Sequence, residues 1–326
     1  MTASAAPAGP EDEAGPRHLG AAAARAALAY PALIDALGDA FAASRIEAPL
    51  RGHYPMNDGA GATNIFLVMP AFEAGGYSGV KLVTVAPGNG ARGLDSVIGL
   101  YVLFDAVTGR PLLTVDGSAL TVRRTAAASA LAARHLARPD AATLLMVGAG
   151  NLAPHAIEAH RAVRPGLARV LVWNRNPDKA RALAAATPGG EAIADLEAAV
   201  RAADIVCAVT MSRTPLIRGA WLQPGTHVDL IGGFTPEMRE ADDDAVARAT
   251  LFVDTREGAL HEAGDLADPI GRGVIGPGDI AADLAELAAG RHPGRRDAGE
   301  ITLFKSVGTA LEDLAGAAFL HRSVTS

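Results

Sequence analysis

The hydrophobic positions of the first 120 residues follow helical spacing and then strand spacing. Residues 21–43 are rich in alanine and carry larger apolar residues at helical intervals, which predicts one helix or two helices separated at Pro31. Short apolar runs typical of strands follow, and the polar, glycine-containing stretch 105–110 suits a hairpin turn. This part is therefore predicted to form a mostly antiparallel sheet with a helix, its strands lying at 65–69, 80–85, 97–104 and 112–115.

After residue 120 the pattern alternates between helix and strand. An alanine-rich helix is predicted over 121–137 and ends before Pro139. Strands that alternate with helices indicate a parallel, doubly wound sheet. The predicted strands are 143–147, 169–173, 204–209, 226–231 and 250–253, and the predicted helices are 152–163, 177–186, 195–202 and 236–248. Beyond them the pattern is irregular, with a helix at 279–289, a strand at 301–304 and a closing helix at 308–320.

A glycine-containing turn follows the first strand of this alternating part. Gly148 permits a sharp turn, Gly150 permits close approach of the backbone to a pyrophosphate, and Ala153 suits close packing of helix on strand. The free N–H groups at the helix start would face the phosphates. The same motif also occurs in ordinary tight turns. Because strand and helix patterns flank it here, the segment predicts a dinucleotide site.

The end of the second strand indicates which dinucleotide binds. Folds that prefer NADH usually place an acidic residue there to bind the ribose 2′-hydroxyl, whereas this chain has Asn174 and Arg175. A guanidinium suits a 2′-phosphate, so we expect NADPH to be preferred, with NADH as a second cofactor. In the alternative interpretation, Arg175 is a solvated turn residue.

Composition limits the partners that this chain can have. Its 326 residues suffice for two domains or one large one, and the net charge of −7 is dispersed without a basic stripe, so no nucleic acid is expected. No apolar stretch approaches the roughly 18–20 residues that cross a bilayer, and no membrane partner is expected. Residues 1–20 are rich in Ala, Pro and Gly, which predicts a disordered tail and not a secretory signal. We therefore expect a cytoplasmic protein.

No metal site is expected. The single cysteine, Cys207, lies in the apolar run 205–209 and is predicted to be buried in a strand, with no disulfide framework or cysteine zinc site. His155 and His160 are five residues apart, so a helix would not place them well on one face. The acidic residues within 254–265 lack the spacing of a calcium loop or a zinc site.

Four segments of the chain resemble one protein family. They are 79–83, 123–137, 148–160 and 301–317. Together they are similar to the ornithine cyclodeaminase/mu-crystallin family over nearly the whole chain. The resemblance implies an α/β fold in which a Rossmann domain is inserted into an N- and C-terminal α/β domain for substrate binding and homodimer formation. On this basis the Rossmann dinucleotide-binding domain is expected at 125–301 and the other domain at 21–124 plus 302–326.

Three cations, Arg51, Lys81 and Arg124, are the candidate catalytic residues. From composition alone, each is more typical of a solvated or structural charge. The resemblance implies instead that they grip the substrate carboxylate, which a guanidinium can hold through two parallel hydrogen bonds. A lysine near other cations can also have a lowered pKa and pass a proton. Reduction of an imine needs a protonated nitrogen so that the neighbouring carbon accepts hydride. The sequence leaves open whether Lys81 supplies that proton or the imine takes it from water.

The resemblance also implies cofactor contacts. Asn151 and Leu152 are expected to offer backbone N–H groups to the pyrophosphate, and Asn174 and Arg175 to bind the adenosine ribose. Each of these residues could instead serve ordinary capping or packing. The other positions expected at the cofactor, or at the nicotinamide and substrate, are Ser96, Thr125, Gly148, Gly150, Thr210, Ser306, Val307 and Gly308.

One position departs from the cyclodeaminases of this family. Those enzymes carry an aspartate in a Gly-Gly-Asp segment that serves ammonia loss and ring closure, whereas this chain has Phe234 there. Asp229 lies five residues earlier, on the strand, and is a poor substitute by position. A phenylalanine relays no proton, which argues against ornithine cyclodeaminase activity. The stretch 232–244 instead resembles family members that reduce Δ1-pyrroline-2-carboxylate to L-proline, and often Δ1-piperideine-2-carboxylate to L-pipecolate.

The predicted function is therefore an NAD(P)H-dependent oxidoreductase of CH–NH bonds, a ketimine reductase of proline metabolism that adds hydride to C2 of a cyclic imino acid. Three alternatives stay open. The chain could be an ornithine cyclodeaminase, or an alanine-dehydrogenase-like enzyme that joins pyruvate and an amine. It could also be a crystallin-like protein that binds NADPH and a hydrophobic acid without turnover.

Overall fold

Two sheets organise the protein, and the N-terminal part of the chain builds the first. The computed structural model describes residues 15–59, 61 and 63–325. The strands of the first sheet are β1 (Arg17–Leu19), β2 (Ile46–Glu47), β3 (Gly52–Asn57), β4 (Thr63–Glu73), β5 (Tyr77–Val85), β6 (Val97–Asp105) and β7 (Pro111–Asp116). They are ordered β1-β7-β6-β5-β4-β2, with β3 also paired to β4. Every pair is antiparallel except β1 with β7, which confirms the mostly antiparallel prediction.

Helices cover one face of this sheet and bury an apolar core against it. They are α1 (Ala21–Ala27), α2 (Tyr30–Ala43), α3 (Gly117–Leu136) and the C-terminal helix (Ala310–Thr325). Pro31 lies in the first turn of α2, where its missing N–H costs no helical hydrogen bond, so the predicted separation of two helices is confirmed. Alanines fill most of α3, and their small side chains let the neighbouring helices approach it closely.

The opposite face of the first sheet, which we call the open face, has no helix on it within the described chain. Its positions alternate with the core-facing ones along β4, β5 and β6. Cross-strand register places Phe66 beside Tyr54, and Leu82 beside Leu100. Large apolar side chains are exposed there, namely Tyr54, Met56, Phe72, Ile98 and Leu100.

The second sheet is parallel throughout. Its strands are β8 (Thr143–Val147), β9 (Arg169–Trp173), β10 (Gly190–Ala192), β11 (Ile205–Ala208), β12 (His227–Leu230), β13 (Thr250–Val253), β14 (Ile280–Asp283) and β15 (Thr302–Lys305). The associated helices are α4 (Ala153–Val163), α5 (Pro177–Ala185), α6 (Leu196–Ala202), α7 (Asp243–Arg248), α8 (Arg256–Glu262), α9 (Gly264–Gly271) and α10 (Leu284–Ala288), and the C-terminal helix is α11. The strand order is β10-β9-β8-β11-β12-β15-β13-β14.

Alternate residues of the central strands enter different apolar clusters on the two faces of this sheet. Leu145 and Val147 belong to one cluster, and Leu144 and Met146 belong to the other. Burial on both faces is typical of a doubly wound parallel sheet, which confirms the predicted fold class. Cys207 lies buried in β11, as predicted.

The predicted domain boundary at residue 302 is wrong by one strand. β15 lies inside the parallel sheet, between β12 and β13, and does not belong to the substrate domain. All four of its residues are buried. A central position in the sheet suits such a strand, because both of its faces are covered and both of its edges pair with other strands. The chain therefore leaves the second sheet after Lys305 and continues into α11, which packs on the first sheet.

Two predicted helices are partly wrong. Of the predicted helix 236–248, only α7 is helical, because the backbone N–H groups of Glu240 and Ala241 donate to the Asp265 carboxylate and not to a helical turn. The predicted helix 279–289 begins as β14, which pairs with β13, and only its second half is helical. Strand pairing here overrides a local pattern that also fits a helix.

The predicted disordered tail is wrong at its end. Residues 17–19 form β1, which pairs with β7, and the Arg17 guanidinium donates to the Val324 carbonyl at 2.8 Å. A partner strand that is distant in sequence cannot be read from local composition. Residues 1–14 of the predicted tail lie outside the described residues.

Within the described residues, no single helix is both long and apolar enough to span a membrane. Only α1 and α2 taken together meet that criterion, and their axes are bent by 78°. Both helices contribute buried residues to the core beside the first sheet.

Candidate active site

The three predicted catalytic cations come from three different elements and meet near the start of α11. Lys81 lies on β5 and points to the core side, whereas its neighbours Val80 and Leu82 lie on the open face. Arg124 lies within α3, and Arg51 directly precedes β3. Lys81 and Arg124 are only 2% and 3% exposed, so both charges need internal partners.

Two acidic residues in the first turn of α11 provide those partners. The Lys81 Nζ lies 2.9 and 2.8 Å from the two carboxylate oxygens of Asp313. The Arg124 Nε donates to the same carboxylate at 2.9 Å, and its Nη1 donates to Glu312 at 2.5 Å. One aspartate is therefore shared by two cations, and within the described chain the Arg124 Nη2 donates no hydrogen bond.

Arg51 connects the two parts of the molecule at the same place. Its Nη2 donates to the carbonyls of Val307 and Gly308, at 2.9 and 2.6 Å, and forms an ion pair with Glu262 at 2.8 Å. Glu262 ends α8, on the second-sheet side. Arg51 and Glu262 also line a cavity of about 60 Å³, together with Leu50, Met69, Thr255, Gly308 and Thr309.

Gly308 lies directly against Arg124. It has a φ of 76°, and a Cβ built on it would overlap the Arg124 guanidinium. Glycine is therefore required for both the backbone conformation and the close approach. The preceding turn is held by Asp254, whose Oδ2 accepts from the Ser306 hydroxyl and from the backbone N–H groups of Val307 and Gly308, at 3.0, 2.8 and 2.7 Å.

Burial and crowding shift the pKa values of this cluster. Burial, followed by the charge of Arg124, lowers the pKa of Lys81 to about 7, and Asp313 opposes this shift. Burial raises the pKa of Glu312 to about 7 although Arg124 opposes it. For Asp313, burial acts upward, but Arg124 and Lys81 together hold its pKa below the usual range. A lysine and a carboxyl that both titrate near neutrality are typical of a site that binds charge or moves protons.

The glycine turn of the second sheet has the geometry that a dinucleotide needs. Gly148 has a φ of 110°, and a Cβ built on it would lie 3.0 Å from Val209. A Cβ built on Gly150 would meet no atom within 4 Å, so space is open beside the turn. Leu152 caps α4 without a side-chain hydrogen bond, and among the described residues the backbone N–H groups of Asn151 and Leu152 donate to no backbone carbonyl, so they are available to phosphate. These residues fit a bound pyrophosphate.

Hydrogen bonds connect several of the other predicted cofactor residues to this turn. Asn174 accepts from the Ala149 N–H at 3.2 Å, so it supports the turn itself. Arg175 is exposed and has no ion pair or hydrogen bond among the described residues. The Asn151 amide donates to Asp95 at 3.4 Å, which brings the loop that carries Ser96 against the turn. Thr125 directly follows Arg124 on α3.

Thr210 performs a structural task that the sequence did not indicate. Its N–H and hydroxyl both donate to one carboxylate oxygen of Glu240, at 2.6 and 2.8 Å. The other oxygen of Glu240 accepts from the N–H groups of Gly232 and Gly233 at 2.8 and 3.3 Å. The buried Glu240 thus joins the loops that follow β11 and β12, next to the glycine turn.

Sequence reasoning missed the acidic half of the site. Its members are Glu240, Asp254, Glu262, Glu312 and Asp313. The available signal was charge balance, because three cations expected together at one site require carboxylates near them. Two of these acids had been set aside with the residues of 254–265 because that stretch lacks metal spacing.

Asp229 lies away from the cation cluster. It is fully buried, accepts a hydrogen bond from Ser129, and lies 3.2 Å from the Nε2 of His160. Among the described residues, His160, Cys207 and Asp229 place ligand atoms within 4.8 Å of one another. Because Asp229 already pairs with His160 and Ser129, we assign this group to the core of the second domain.

Comparison with known proteins gives a consistent result. A model of the ornithine cyclodeaminase/mu-crystallin family matches residues 26–326. A Δ1-pyrroline-2-carboxylate reductase of Paracoccus denitrificans is 47% identical over 254 residues, which are 77% of this chain and 80% of that protein. The Thermococcus litoralis Δ1-pyrroline-2-carboxylate reductase, solved with NADH and L-proline, superposes with a TM-score of 0.88 at 33% identity, covering 95% of this chain and 97% of that one.

A second solved structure, an archaeal alanine dehydrogenase dimer with bound NAD, has a TM-score of 0.88 at 28% identity and covers 95% of this chain and 96% of its own. The family match extends over nearly the whole chain, and the fold and the glycine turn agree with it. The chain belongs to the ornithine cyclodeaminase/mu-crystallin family and is an oxidoreductase that uses a nicotinamide dinucleotide.

Proposed function

We propose that this protein reduces a cyclic imino acid, converting Δ1-pyrroline-2-carboxylate to L-proline and also accepting Δ1-piperideine-2-carboxylate. The observation that carries the proposal is the meeting of Arg51, Lys81 and Arg124 around Gly308 and the first turn of α11. Arg51 and Gly308 also line the small cavity at this place. The named reductases among the relatives support the same substrate class.

The cations would hold the substrate through its carboxylate. Among the described residues the Arg124 Nη2 has no hydrogen-bond partner, whereas Nε and Nη1 are held by Asp313 and Glu312, so Nη2 can donate to the carboxylate. Lys81 has a single carboxylate partner for its three N–H donors, and it can donate to the substrate as well. Holding the carboxylate at two points fixes C2 of the imine in one position.

The dinucleotide would lie across the second sheet, with its pyrophosphate at Gly148, Gly150, Asn151 and Leu152. When bound, the reduced nicotinamide supplies the hydride that C2 of the imine receives. We propose NADPH as the preferred form, since Arg175 is exposed and unpaired where the ribose end is expected. The solved relatives contain NADH or NAD, so NADH is the second cofactor to be compared.

Phe234 favours reduction over cyclodeamination. The side chain follows β12 and is half-buried, and it offers no group that could move a proton. Asp229 cannot replace the missing acid, because it is buried beside His160. An alanine-dehydrogenase-like activity and a binding protein without turnover are the remaining alternatives, and the cations would serve both.

We also propose that the chain acts as a homodimer through the open face of the first sheet. That face exposes Tyr54, Phe72, Ile98 and Leu100, an apolar surface of the kind that marks a protein interface. The archaeal alanine dehydrogenase of the same fold is a dimer. Leu100→Glu should convert the dimer to monomers in size-exclusion chromatography with light scattering. Val107→Glu, at an exposed turn, is the matched control and should leave the dimer intact.

The experiment that tests the function follows NADPH consumption with Δ1-pyrroline-2-carboxylate and identifies the product, with L-ornithine plus NAD in a parallel ammonia assay. Rapid consumption with L-proline as product is expected. Formation of ammonia and proline from ornithine would contradict the proposal that Phe234 favours reduction over cyclodeamination. NADPH binding without oxidation by an imine or by pyruvate plus an amine would favour the binding protein.

A further inference from the structure

The site contains a carboxylate whose role the proposed function does not assign. Asp313 is fully buried and lies one residue beyond Glu312 in the first turn of α11. Both of its oxygens lie within 2.9 Å of the Lys81 Nζ. We propose that Asp313 is a positioning residue that keeps Lys81 charged and in place for the substrate carboxylate. As far as the substrate is concerned, this inference rests on the proposed function.

Asp313 is the group that favours the charged form of Lys81. Arg124 faces Lys81 from α3, and Arg51 faces it from the segment before β3; both disfavour a further positive charge. Burial acts in the same direction. Tyr101, the cross-strand neighbour on β6, is buried and uncharged at neutral pH, because burial raises the pKa of its hydroxyl. Without the Asp313 carboxylate, the ammonium would be buried among like charges.

Asp313 also fixes the direction of Arg124. Its Oδ1 accepts from both the Arg124 Nε and the Lys81 Nζ, at 2.9 Å each. One negative charge shared by two cations leaves part of each cation's charge for a ligand. The Glu312 carboxylate accepts from the Arg124 Nη1 and so holds a second nitrogen of the guanidinium. An incoming carboxylate is therefore directed to the Nη2 edge of Arg124 and to the free N–H groups of Lys81.

The chain offers a direct measurement of this role, because it contains only three lysines, Lys81, Lys179 and Lys305. In protein labelled with ¹³C at the lysine Cε, each lysine gives its own NMR signal, which Lys→Arg variants assign. The signal of Lys81 should titrate near pH 7 in the wild-type chain. This readout needs no turnover, so it separates failure of this inference from failure of the proposed function.

Asp313→Asn keeps the shape of the side chain and removes its charge. The midpoint of the Lys81 titration should then fall by about one to three pH units. Glu312→Gln is the matched control, since Glu312 contacts Arg124 and not Lys81, and it should leave the midpoint unchanged. An unchanged midpoint in Asp313→Asn would overturn the inference.

Kinetics supply the second readout. The alkaline fall of kcat/KM should move to lower pH in Asp313→Asn, together with the Lys81 midpoint, while the NADPH dissociation constant stays the same. Asp313→Glu should bring the alkaline fall back toward the wild-type pH. A purely structural role would instead lower kcat at every pH and leave the position of the fall unmoved. If Asp313→Asn does not fold, Asp313→Glu decides the question, because a displaced carboxylate should move the Lys81 midpoint and an unmoved midpoint would contradict the inference.

Discussion

Two buried lysines of this chain, Lys81 and Lys305, make the same local contact in opposite surroundings. Lys81 pairs with Asp313 at 2.8 Å, and Lys305, at the end of β15, pairs with Asp265 at 3.0 Å. Both lysine side chains are buried, with exposures of 2% and 0%. The neighbours of each pair account for their different roles.

Lys81 is crowded by other cations, whereas Lys305 is crowded by carboxylates. Arg124 and Arg51 disfavour the charge of Lys81. Lys305, in contrast, acts on the buried Glu240, whose pKa burial raises and Lys305 lowers. A cation among cations has unused capacity for an anionic ligand, while a cation among acids is already neutralised. A buried lysine–aspartate pair therefore says little about function until the next charges are known.

The acids around Lys305 hold the loops beside the cofactor turn. Asp265 accepts from the N–H groups of Glu240 and Ala241 at 2.7 and 3.0 Å, and Glu240 binds Thr210 and the two glycines after β12. Lys305 compensates this concentration of negative charge. Its role in the fold is thus structural.

The largest effect is expected from Lys81→Met. The variant should lose about 10²–10⁴-fold in kcat/KM, because it removes a charge at the substrate carboxylate. NADPH binding, followed by fluorescence, should be retained, since the glycine turn is distant in sequence and built by other elements. The free energy of unfolding, measured in urea, should change by less than about 1.5 kcal/mol, because Arg124 still pairs with Asp313. Wild-type activity in this variant would remove Lys81 from the site.

Lys305→Met, in contrast to Lys81→Met, should lower the free energy of unfolding substantially. Removing one partner of a buried ion pair leaves Asp265 and Glu240 without a cation, which costs about 3–5 kcal/mol. Urea unfolding followed by circular dichroism measures this loss. The double variant Lys305→Met/Asp265→Asn should recover part of it, because one uncompensated charge is gone while an amide oxygen still accepts from Glu240. Equal stability of Lys305→Met and Lys81→Met would break the comparison.

The pH dependence should separate activity from stability. Lys81 has a folded-state pKa of about 7, below its value in the unfolded chain. Between pH 7 and that higher value the unfolded chain binds more protons, so the contribution of Lys81 to stability rises with pH. Activity should fall over the same range, since the charged form binds the carboxylate.

The measurement is the difference between wild type and Lys81→Met in urea unfolding across this pH range, beside the kcat/KM profile of the wild type. A stability difference that is flat with pH would contradict the lowered pKa. The Lys305→Met variant provides the control, because its Lys81 is intact and its stability should keep the wild-type trend.

Arg175→Ala should have the smallest effect, and it adds an exposed cation to the comparison. Arg175 has no partner among the described residues, so its removal leaves nothing uncompensated in the fold. The variant should weaken the binding of NADPH by about tenfold, which corresponds to the loss of one charged hydrogen bond, and leave the binding of NADH nearly unchanged. Dissociation constants for both cofactors measure this. Equal weakening of both would remove the 2′-phosphate role.

Much of the parallel domain could be predicted from local sequence. The strand before Gly148, the glycine turn and the helix after it are contiguous, and their pattern reflects burial on two faces. The failures lie where pairing is distant in sequence. β14 reads as helix until it pairs with β13, β15 is separated from its neighbours by long segments, and residues 17–19 find β7 only in the folded chain.

The sequence by itself determined the residue types of the site, including Arg51, Lys81, Arg124 and a glycine at 308, and the resemblance indicated that the cations act together. The tertiary structure decided which acid meets which cation, because Asp313 and Lys81 are 232 positions apart in sequence. Charge interactions depend on distance in space and on burial, and neither can be obtained from sequence spacing. For that reason the same kind of Lys–Asp pair lies in the proposed substrate site at Lys81 and in a structural network at Lys305.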